Sequence, residues 1–215
     1  MDILAALNRR YATKKFLPNR KISDEDLHIL LESIRLAPSS YGLQPFRVTV
    51  IRDQATKDCL RNYSWDQAQI SDSSDLIVFS IIKDLPKSYF SDFLDLVCSV
   101  RAIPKEALKL YQDILESNLW EQQKTVWLDN WSKQQVYIAL GFLLFAAAQL
   151  EIDTCPMEWF NKDEYDRILG LSQKNQSAVV VCAIWYRNPE DPNAHFRKIR
   201  RSSNELFSYF PMSEE

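Results

Sequence analysis

Two clusters of basic residues stand at opposite ends of the sequence, where they could bind an anion together. Residues 1–21 contain six lysines and arginines against one aspartate, and residues 195–201 contain four basic residues and no acid. The whole chain has a formal net charge of −3, so both clusters contrast with an acidic remainder. Charge runs are usually solvated surfaces, and this interpretation stays open. The alternative is that folding brings the clusters together around an anion, since chain termini often lie close in space.

Few residues of the sequence are suited to metal-assisted or nucleophilic hydrolysis. The two histidines, His28 and His195, cannot form a two-histidine zinc-protease helix, and a catalytic triad would depend on one of them. The three glycines, Gly42, Gly141 and Gly170, are too far apart for a dinucleotide-binding turn or a phosphate-binding loop. We therefore expect no metal site, and any nucleotide must be bound by other means.

The cysteines and apolar segments indicate the cellular compartment of the protein. The four cysteines are isolated in the sequence, which is typical of unpaired thiols in a reducing compartment. The N-terminus lacks the charge order of a secretory signal, and the apolar run of residues 136–148 is too short to span a bilayer. The net negative charge argues against a nucleic-acid binder. We expect a cytoplasmic protein with neither a membrane nor a nucleic-acid partner.

Five segments place polar residues beside apolar ones more densely than a plain surface loop does. They are RRYATKKF (9–16), APSSYGLQPF (37–46), DQAQISDSS (66–74), CPMEWF (155–160) and FRKIRRS (196–202). In this order and at these separations they resemble the FMN-dependent nitroreductase family, most closely its oxygen-insensitive NAD(P)H nitroreductase and dihydropteridine reductase branch. The resemblance covers nearly the whole chain, including residues 131–158.

The resemblance implies that both basic clusters bind the phosphate of FMN. Arg10, Lys198 and Arg200 match the positions that the family uses for this role. Several cationic side chains suit a group that is close to a dianion when no glycine loop is present. Tyr11 and Ala12 continue the first segment along the cofactor. Ala12 departs from the family, which has a small hydroxyl residue there, so one phosphate contact is expected to be missing.

The resemblance also assigns residues to the ring of FMN. Lys14 matches a lysine that stabilises negative charge at the N1 and C2 carbonyl edge, and so acts as an electrostatic stabiliser. Asp66 and Gln69 match the partners of the pyrimidine edge. Asp66 departs from the family asparagine, because an ionised carboxylate accepts hydrogen bonds but donates none. Gln69 is the better candidate of the two.

Two further segments are implied to touch the cofactor. Ser39 lies in the turn after Pro38, where its hydroxyl could reach the ribityl chain, although a plain capping role in that turn is the alternative. The loop of Pro156, Met157 and Glu158 is implied to pass over the flavin face and to offer the backbone N–H of Glu158 near N5. Trp159 stands where most relatives have glycine, and it either narrows the site or faces the core.

The activity implied by the resemblance is a ping-pong transfer of reducing equivalents. NADH or NADPH passes hydride to N5 of FMN and leaves, and a nitroaromatic, quinone or related acceptor takes its place. Protein side chains need do no proton chemistry, so no catalytic side chain is assigned. The alternatives are a dedicated pteridine or enone reductase of the same fold, and a flavin-binding protein without turnover.

The elements that must position these residues follow from local patterns. Helices are predicted at residues 2–10, from the N-cap Ser23 to before Pro38, and at 89–100, 105–127, 131–150 and 162–169; strands are predicted at 46–51, 76–82 and 178–185. Residues 155–157 are expected to form a turn. Few strands and no regular βαβ alternation indicate a single α+β domain over residues 1–215. The resemblance implies a mostly antiparallel sheet surrounded by helices.

The long apolar helix at residues 131–150 favours a homodimer with a large interface. Trp120, Trp127 and Trp131 share one helix face, a pattern of a core or subunit interface more often than of a cofactor site. The resemblance implies that both subunits contribute to each active site. Residues 205–210 are aromatic enough to add a strand to the partner, and the sequence leaves that choice open.

Overall fold

The computed structural model describes residues 2–17, 20–121 and 125–210, apart from the side chains of residues 120, 121 and 125. Four antiparallel strands form one sheet: β1 (Phe46–Ile51), β2 (Asp75–Ile82), β3 (Asp153–Met157) and β4 (Gln176–Trp185). Their order across the sheet is β1-β2-β4-β3. With the helices around this sheet, the expected α+β class is confirmed. The prediction of one domain over residues 1–215 stays a prediction.

Helices cover both faces and the ends of the sheet. They are α1 (Ile3–Arg9), α2 (Asp24–Arg35), α3 (Gln54–Arg61), α4 (Ala68–Asp72), α5 (Lys87–Arg101), α6 (Lys109–Leu115), α7 (Thr125–Gln149), α8 (Lys162–Ile168) and α9 (Ser203–Leu206). None of the helices in the described ranges has the length and apolarity to cross a membrane.

Helix α2 begins and ends where the sequence predicts. The Ser23 hydroxyl accepts a hydrogen bond of 3.0 Å from the backbone N–H of Asp26, and three acidic residues occupy the first turn. An N-cap hydroxyl and early acidic side chains satisfy free amides and the helix dipole. The helix ends at Arg35, ahead of Pro38.

The continuous apolar runs of β2 and β4 reflect burial on both faces of the sheet. In β2, Ile77 and Phe79 pack with α2 and α7 on one side, while Leu76 and Val78 pack with Leu60 and neighbouring side chains on the other. All eight residues of β2 are buried. Successive side chains of β2 therefore point alternately into two apolar environments. Because both are apolar, the sequence of the strand shows no alternation of polar and apolar residues.

Three predicted elements differ clearly from the structure, and one of them is the helix predicted at residues 131–150, which is α7 (Thr125–Gln149). Residues 153–157 form strand β3, not a turn; proline at residue 156 is tolerated because β3 is at the edge of the sheet, where a missing N–H need not break a ladder. Residues 105–127 are not one helix: a 3-10 turn (Lys105–Leu108), α6 and a π-helical segment (Glu116–Glu121) succeed one another, and α7 starts at Thr125. The spacing of apolar residues indicates which face of a helical segment is buried. It does not distinguish the hydrogen-bond patterns of 3-10, α and π helices.

Two of the three predicted stripe tryptophans stack on α7. The rings of Trp127 and Trp131 lie 6.4 Å apart at 13°, with Trp131 buried in the core and Trp127 partly exposed. The side chain of Trp120 lies outside the described part.

Candidate functional site

The segment after α1 runs beside the edge strand β3 and carries the first basic cluster. The backbone N–H of Thr13 donates a hydrogen bond of 3.1 Å to the carbonyl of Thr154, and Ala12 forms a parallel bridge to the same residue. Further along, Phe16 forms an antiparallel bridge to Arg187, just after β4. The segment is thus held between β3 and the chain that leaves β4.

One buried carboxylate fixes this segment in place. Oδ2 of Asp191 accepts hydrogen bonds from the backbone N–H groups of Lys14 (2.8 Å) and Lys15 (3.2 Å) and from the hydroxyl of Tyr11 (2.9 Å). Although burial opposes its ionisation, hydrogen bonds from Asn193 and from the Lys14 amide hold the pKa of Asp191 well below its usual range. The pKa of Tyr11 is raised to about 12 by burial and by this carboxylate.

The two basic clusters meet around one cavity of about 390 Å³, called here the basic cavity. Its lining comes from both ends of the chain: Asn8, Arg9, Arg10, Tyr11, Ala12, Asn193, Ala194, Phe196, Arg197, Lys198 and Arg200. The Lys198 ammonium donates a hydrogen bond of 2.6 Å to the carbonyl of Leu7 and another to that of Arg10. The C-terminal cluster is therefore anchored on the end of α1.

The basic cavity has an excess of uncompensated positive charge. In the described part of the chain, Arg10, Lys198 and Arg200 make no ion pair with a carboxylate. Burial and the neighbouring cations Arg10 and Arg200 lower the pKa of Lys198, and burial and Arg200 lower that of Arg10. The buried Nε of Arg10 has no hydrogen-bond partner among the described residues. These features fit a bound anion with several acceptor oxygens.

A second cavity of about 440 Å³, called the Lys14 cleft, lies further along the same segment. It is lined by Lys14, Gln67, Tyr137, Leu140, Pro156, Met157, Glu158, Trp159 and Val180. The Lys14 ammonium lies 3.9 Å from the thiol sulfur of Cys155. Burial raises the pKa of that thiol despite the nearby lysine, so the neutral thiol leaves the lysine charge uncompensated.

A hydrogen bond connects the loop after β3 to α7 within the lining of the Lys14 cleft. The Tyr137 hydroxyl donates a hydrogen bond of 2.6 Å to the carboxylate of Glu158. Burial and this carboxylate raise the pKa of Tyr137, which keeps the hydroxyl protonated. Since β3 ends at Met157, this bond fixes the chain direction immediately after the strand.

Nine of the twelve predicted site residues line one of the two cavities. Ser39, Asp66 and Gln69 line neither. The Ser39 hydroxyl accepts a hydrogen bond of 2.9 Å from the backbone N–H of Gln44, and Asp66 is exposed and ion-paired with Arg61 at 2.6 Å. Gln69 is buried in α4. Their contact with a cofactor stays a prediction.

Several residues that line or support the two cavities are absent from the sequence predictions, among them Asp191, Gln67 and Tyr137. Asp191 follows β4 in a loop with no motif, and its role depends on contacts 177 positions away. Gln67 lies between the two predicted partners Asp66 and Gln69. Tyr137 did carry a signal, because its hydroxyl interrupts the apolar surface of a long helix.

Comparison with known proteins places this geometry in a family. Residues 7–184 match the model of the nitroreductase family. YfkO of Bacillus subtilis strain 168, whose name describes it as an NAD(P)H nitroreductase, is 35% identical over 209 residues, covering 91% of this chain and 93% of the relative.

Solved structures share the fold at lower identity. The nitroreductase ydfN of Bacillus subtilis superposes with a TM-score of 0.83 and 22% identity over 96% of this chain and 98% of that one. A nitroreductase from Exiguobacterium sibiricum, solved in complex with FMN, gives a TM-score of 0.79 and 20% identity, with 98% of each chain covered. At these identities the likeness shows the fold.

Proposed function

Because the chain belongs to the nitroreductase family, we propose that it is an FMN-dependent oxidoreductase that carries reducing equivalents from NADH or NADPH to nitroaromatic, quinone or related acceptors. The observation that carries the proposal is the meeting of Arg10, Lys198 and Arg200 around the basic cavity, next to a cleft that contains Lys14.

The basic cavity suits the phosphate of FMN. A phosphate presents several charged acceptor oxygens, and the cavity presents guanidinium and ammonium groups without a competing carboxylate. The Nε of Arg10, which has no hydrogen-bond partner in the described part of the chain, is a donor that such an oxygen would satisfy. Ala12 supplies no hydroxyl here, so Arg10, Lys198 and Arg200 carry the binding.

The Lys14 cleft suits the ring of the same cofactor. Residues 10–14 connect the two cavities, and four residue steps span at most about 14 Å, so one elongated molecule could occupy both. When bound, FMN supplies the redox chemistry, taking hydride from the nicotinamide and passing electrons to the acceptor. Lys14 provides a fixed positive charge that favours adding electrons to a group bound beside it. Pro156, Met157 and Glu158 line the same cleft.

No side chain needs to act as a proton donor or acceptor in this proposal. Tyr137 and Glu158 are engaged with each other, and Lys14 acts through its charge. We retain Ser39, Asp66 and Gln69 as predicted contacts to the ribityl chain and the pyrimidine edge. In the structure the Asp66 carboxylate pairs with Arg61, so it would have to leave that partner.

The predicted homodimer is supported by a large exposed apolar surface. Large apolar side chains exposed to solvent include Tyr137, Ile138, Phe142 and Phe145 on α7, Ile3 and Leu4 on α1, and Tyr209 and Phe210 after α9. Several of these side chains belong to α7, and exposed large apolar side chains in this number are typical of a protein interface. We propose that a second copy covers it and completes both sites.

The four free thiols support the prediction of a reducing, cytoplasmic compartment.

The proposal is tested by the absorbance spectrum of the purified protein before and after anaerobic addition of NADH or NADPH. We expect the spectrum of bound FMN, bleaching by a nicotinamide, and its return with nitrofurazone or menadione. A colourless protein that FMN cannot reconstitute contradicts the proposal. Bound flavin that neither nicotinamide bleaches would instead favour the flavin-binding protein without turnover, and a response to pteridines or enones alone would favour the dedicated reductase.

A further inference from the structure

Two exposed tryptophans contact each other at the rim of the Lys14 cleft. Trp159 is 73% exposed and Trp65 is 65% exposed. Their rings are 5.9 Å apart at 75°, an edge-to-face arrangement. Neighbouring exposed aromatic side chains are a common feature of surfaces that contact a ligand or a partner. The two residues are called here the tryptophan pair.

The backbones that carry the tryptophan pair are joined to each other. The side-chain amide of Gln67 donates a hydrogen bond of 2.8 Å to the carbonyl of Trp159, and the backbone N–H of Asn161 donates one of 2.8 Å to the carbonyl of Tyr63. Trp65 has a positive φ of 50°, which is uncommon for a bulky residue. The loops before α4 and after β3 therefore form one unit.

The base beneath this unit is tightly packed. The rings of Phe160 and Tyr165 are buried and lie 4.5 Å apart, and the hydroxyl of Tyr165 shares a hydrogen bond of 2.8 Å with that of the buried Ser64. A rigid base holds the exposed indoles in position, so a ligand that stacks on them loses little of its binding free energy to ordering the protein.

Trp159 lies on the wall of the Lys14 cleft, close to the residues assigned to the flavin ring. Resting on the proposed function, we infer that Trp159, supported edge-on by Trp65, determines specificity by stacking on flat aromatic acceptors. Continuity with the cleft favours this occupant, because an acceptor placed over a ring in the cleft would extend towards the rim. Non-planar acceptors gain nothing from this contact.

Trp159→Leu and Trp159→Phe test the inference in the holoenzyme. Leucine removes the aromatic face and keeps apolar volume, whereas phenylalanine keeps a stacking face. We expect Trp159→Leu to raise KM about tenfold for nitrofurazone and menadione, with little change in kcat and in ferricyanide reduction. The KM of Trp159→Phe for these two acceptors should stay within about threefold of the wild-type value. Flavin content and the unfolding midpoint show whether either variant is folded.

A binding measurement separates this inference from the proposed function. Benzoate and cyclohexanecarboxylate share a charge and differ in planarity, so their affinities are compared by tryptophan fluorescence. The wild type should favour benzoate, and Trp159→Leu should lose that preference. Equal affinities in the wild type overturn the inference even if no acceptor is reduced. Unchanged acceptor selectivity in an active Trp159→Leu enzyme overturns it while the proposed function stands. A change from dimer to monomer in that variant would show that a partner subunit covers Trp159, which also overturns it.

Discussion

The carboxylate of Asp191 accepts the backbone N–H of Lys14 at 2.8 Å. The two residues are 177 positions apart in the sequence. The same oxygen holds Tyr11, so one buried side chain fixes the strand-like segment that lines both the basic cavity and the Lys14 cleft. The relative position of the two cavities therefore depends on a residue that lines neither of them.

Replacing Asp191 by asparagine should destabilise the protein. Asparagine keeps one acceptor oxygen but loses the charge that strengthens three hydrogen bonds from the 11–15 segment. We expect the free energy of unfolding to fall by about 1–3 kcal/mol at pH 7. Urea unfolding followed by circular dichroism measures it. Glu190→Gln, at the exposed neighbouring position, is the matched control and should be close to neutral; equal effects of the two variants would contradict the role of Asp191.

The effect of Asp191→Asn should depend on pH. The pKa of Asp191 is lower in the folded protein than in the unfolded chain, so the unfolded chain binds more protons at acidic pH. The stabilisation is complete above the unfolded-state pKa of about 3.9 and is lost as the pH falls through the folded-state value. The difference in the free energy of unfolding between wild type and variant should thus be constant from pH 6 to 7, at about 1–3 kcal/mol. It should shrink below about pH 4. A difference that stays constant down to the acid transition would argue against this assignment.

Arg200→Ala should weaken FMN binding more than it slows electron transfer. Losing one charged donor to the phosphate should raise the Kd of the apoprotein for FMN about 10- to 100-fold. Quenching of FMN fluorescence measures this. Arg201→Ala is the control, because Arg201 pairs with Glu205 and does not line the basic cavity. A similar Kd for both variants would remove Arg200 from the phosphate site.

Lys14→Met should slow electron transfer more than it weakens FMN binding, in contrast to Arg200→Ala. The loss of a fixed charge beside the ring should slow reduction of bound FMN by NADH or NADPH about 10- to 100-fold. The Kd for FMN should change by less than about threefold, because the phosphate contacts remain. Stopped-flow absorbance measures the rate, and Lys15→Met, next to it and outside both cavities, is the control. Loss of flavin without a slower rate would show that Lys14 holds the cofactor and does not tune it.

Phe142→Glu should disrupt the proposed dimer. Phe142 is 43% exposed on α7, and a buried unpaired carboxylate in an interface is strongly unfavourable. Light scattering should show a monomer with reduced flavin content. Lys162→Glu, an exposed charge change on α8, should leave the assembly intact. A wild-type monomer with full flavin occupancy would refute the shared-site proposal outright.

Much of the fold follows from local patterns. Strands β1, β2 and β4 lie within one or two residues of the predicted positions, because β-branched and apolar runs between polar residues identify buried strands. Local patterns do not identify β3, because the strand is short and contains Pro156, and its pairing with β4 is a non-local contact. The sheet order likewise depends on pairings that periodicity does not encode.

Where the charge pattern and the resemblance agree, the sequence identifies residues that folding brings together. The clustered bases marked Arg10, Lys198 and Arg200, and the structure brings all three to one cavity. Asp191 gave no signal, since a lone acid in a loop gains its role only from partners brought together by folding. The sequence leaves open whether Trp159 faces the core or the site. The packing of the surrounding loops decides this, and Trp159 is exposed and lines the Lys14 cleft.

The basic cavity is assembled from the two ends of the chain, with Lys198 fastened to carbonyl groups of Leu7 and Arg10. A ribosome extending the chain at about 5–20 residues per second needs about 10–40 s between making Arg10 and making Arg200. During that interval the early bases stand without their counterparts. The basic cavity is therefore complete only after almost the whole chain has been made, and a polypeptide that ends before residue 198 lacks the C-terminal half of its basic lining.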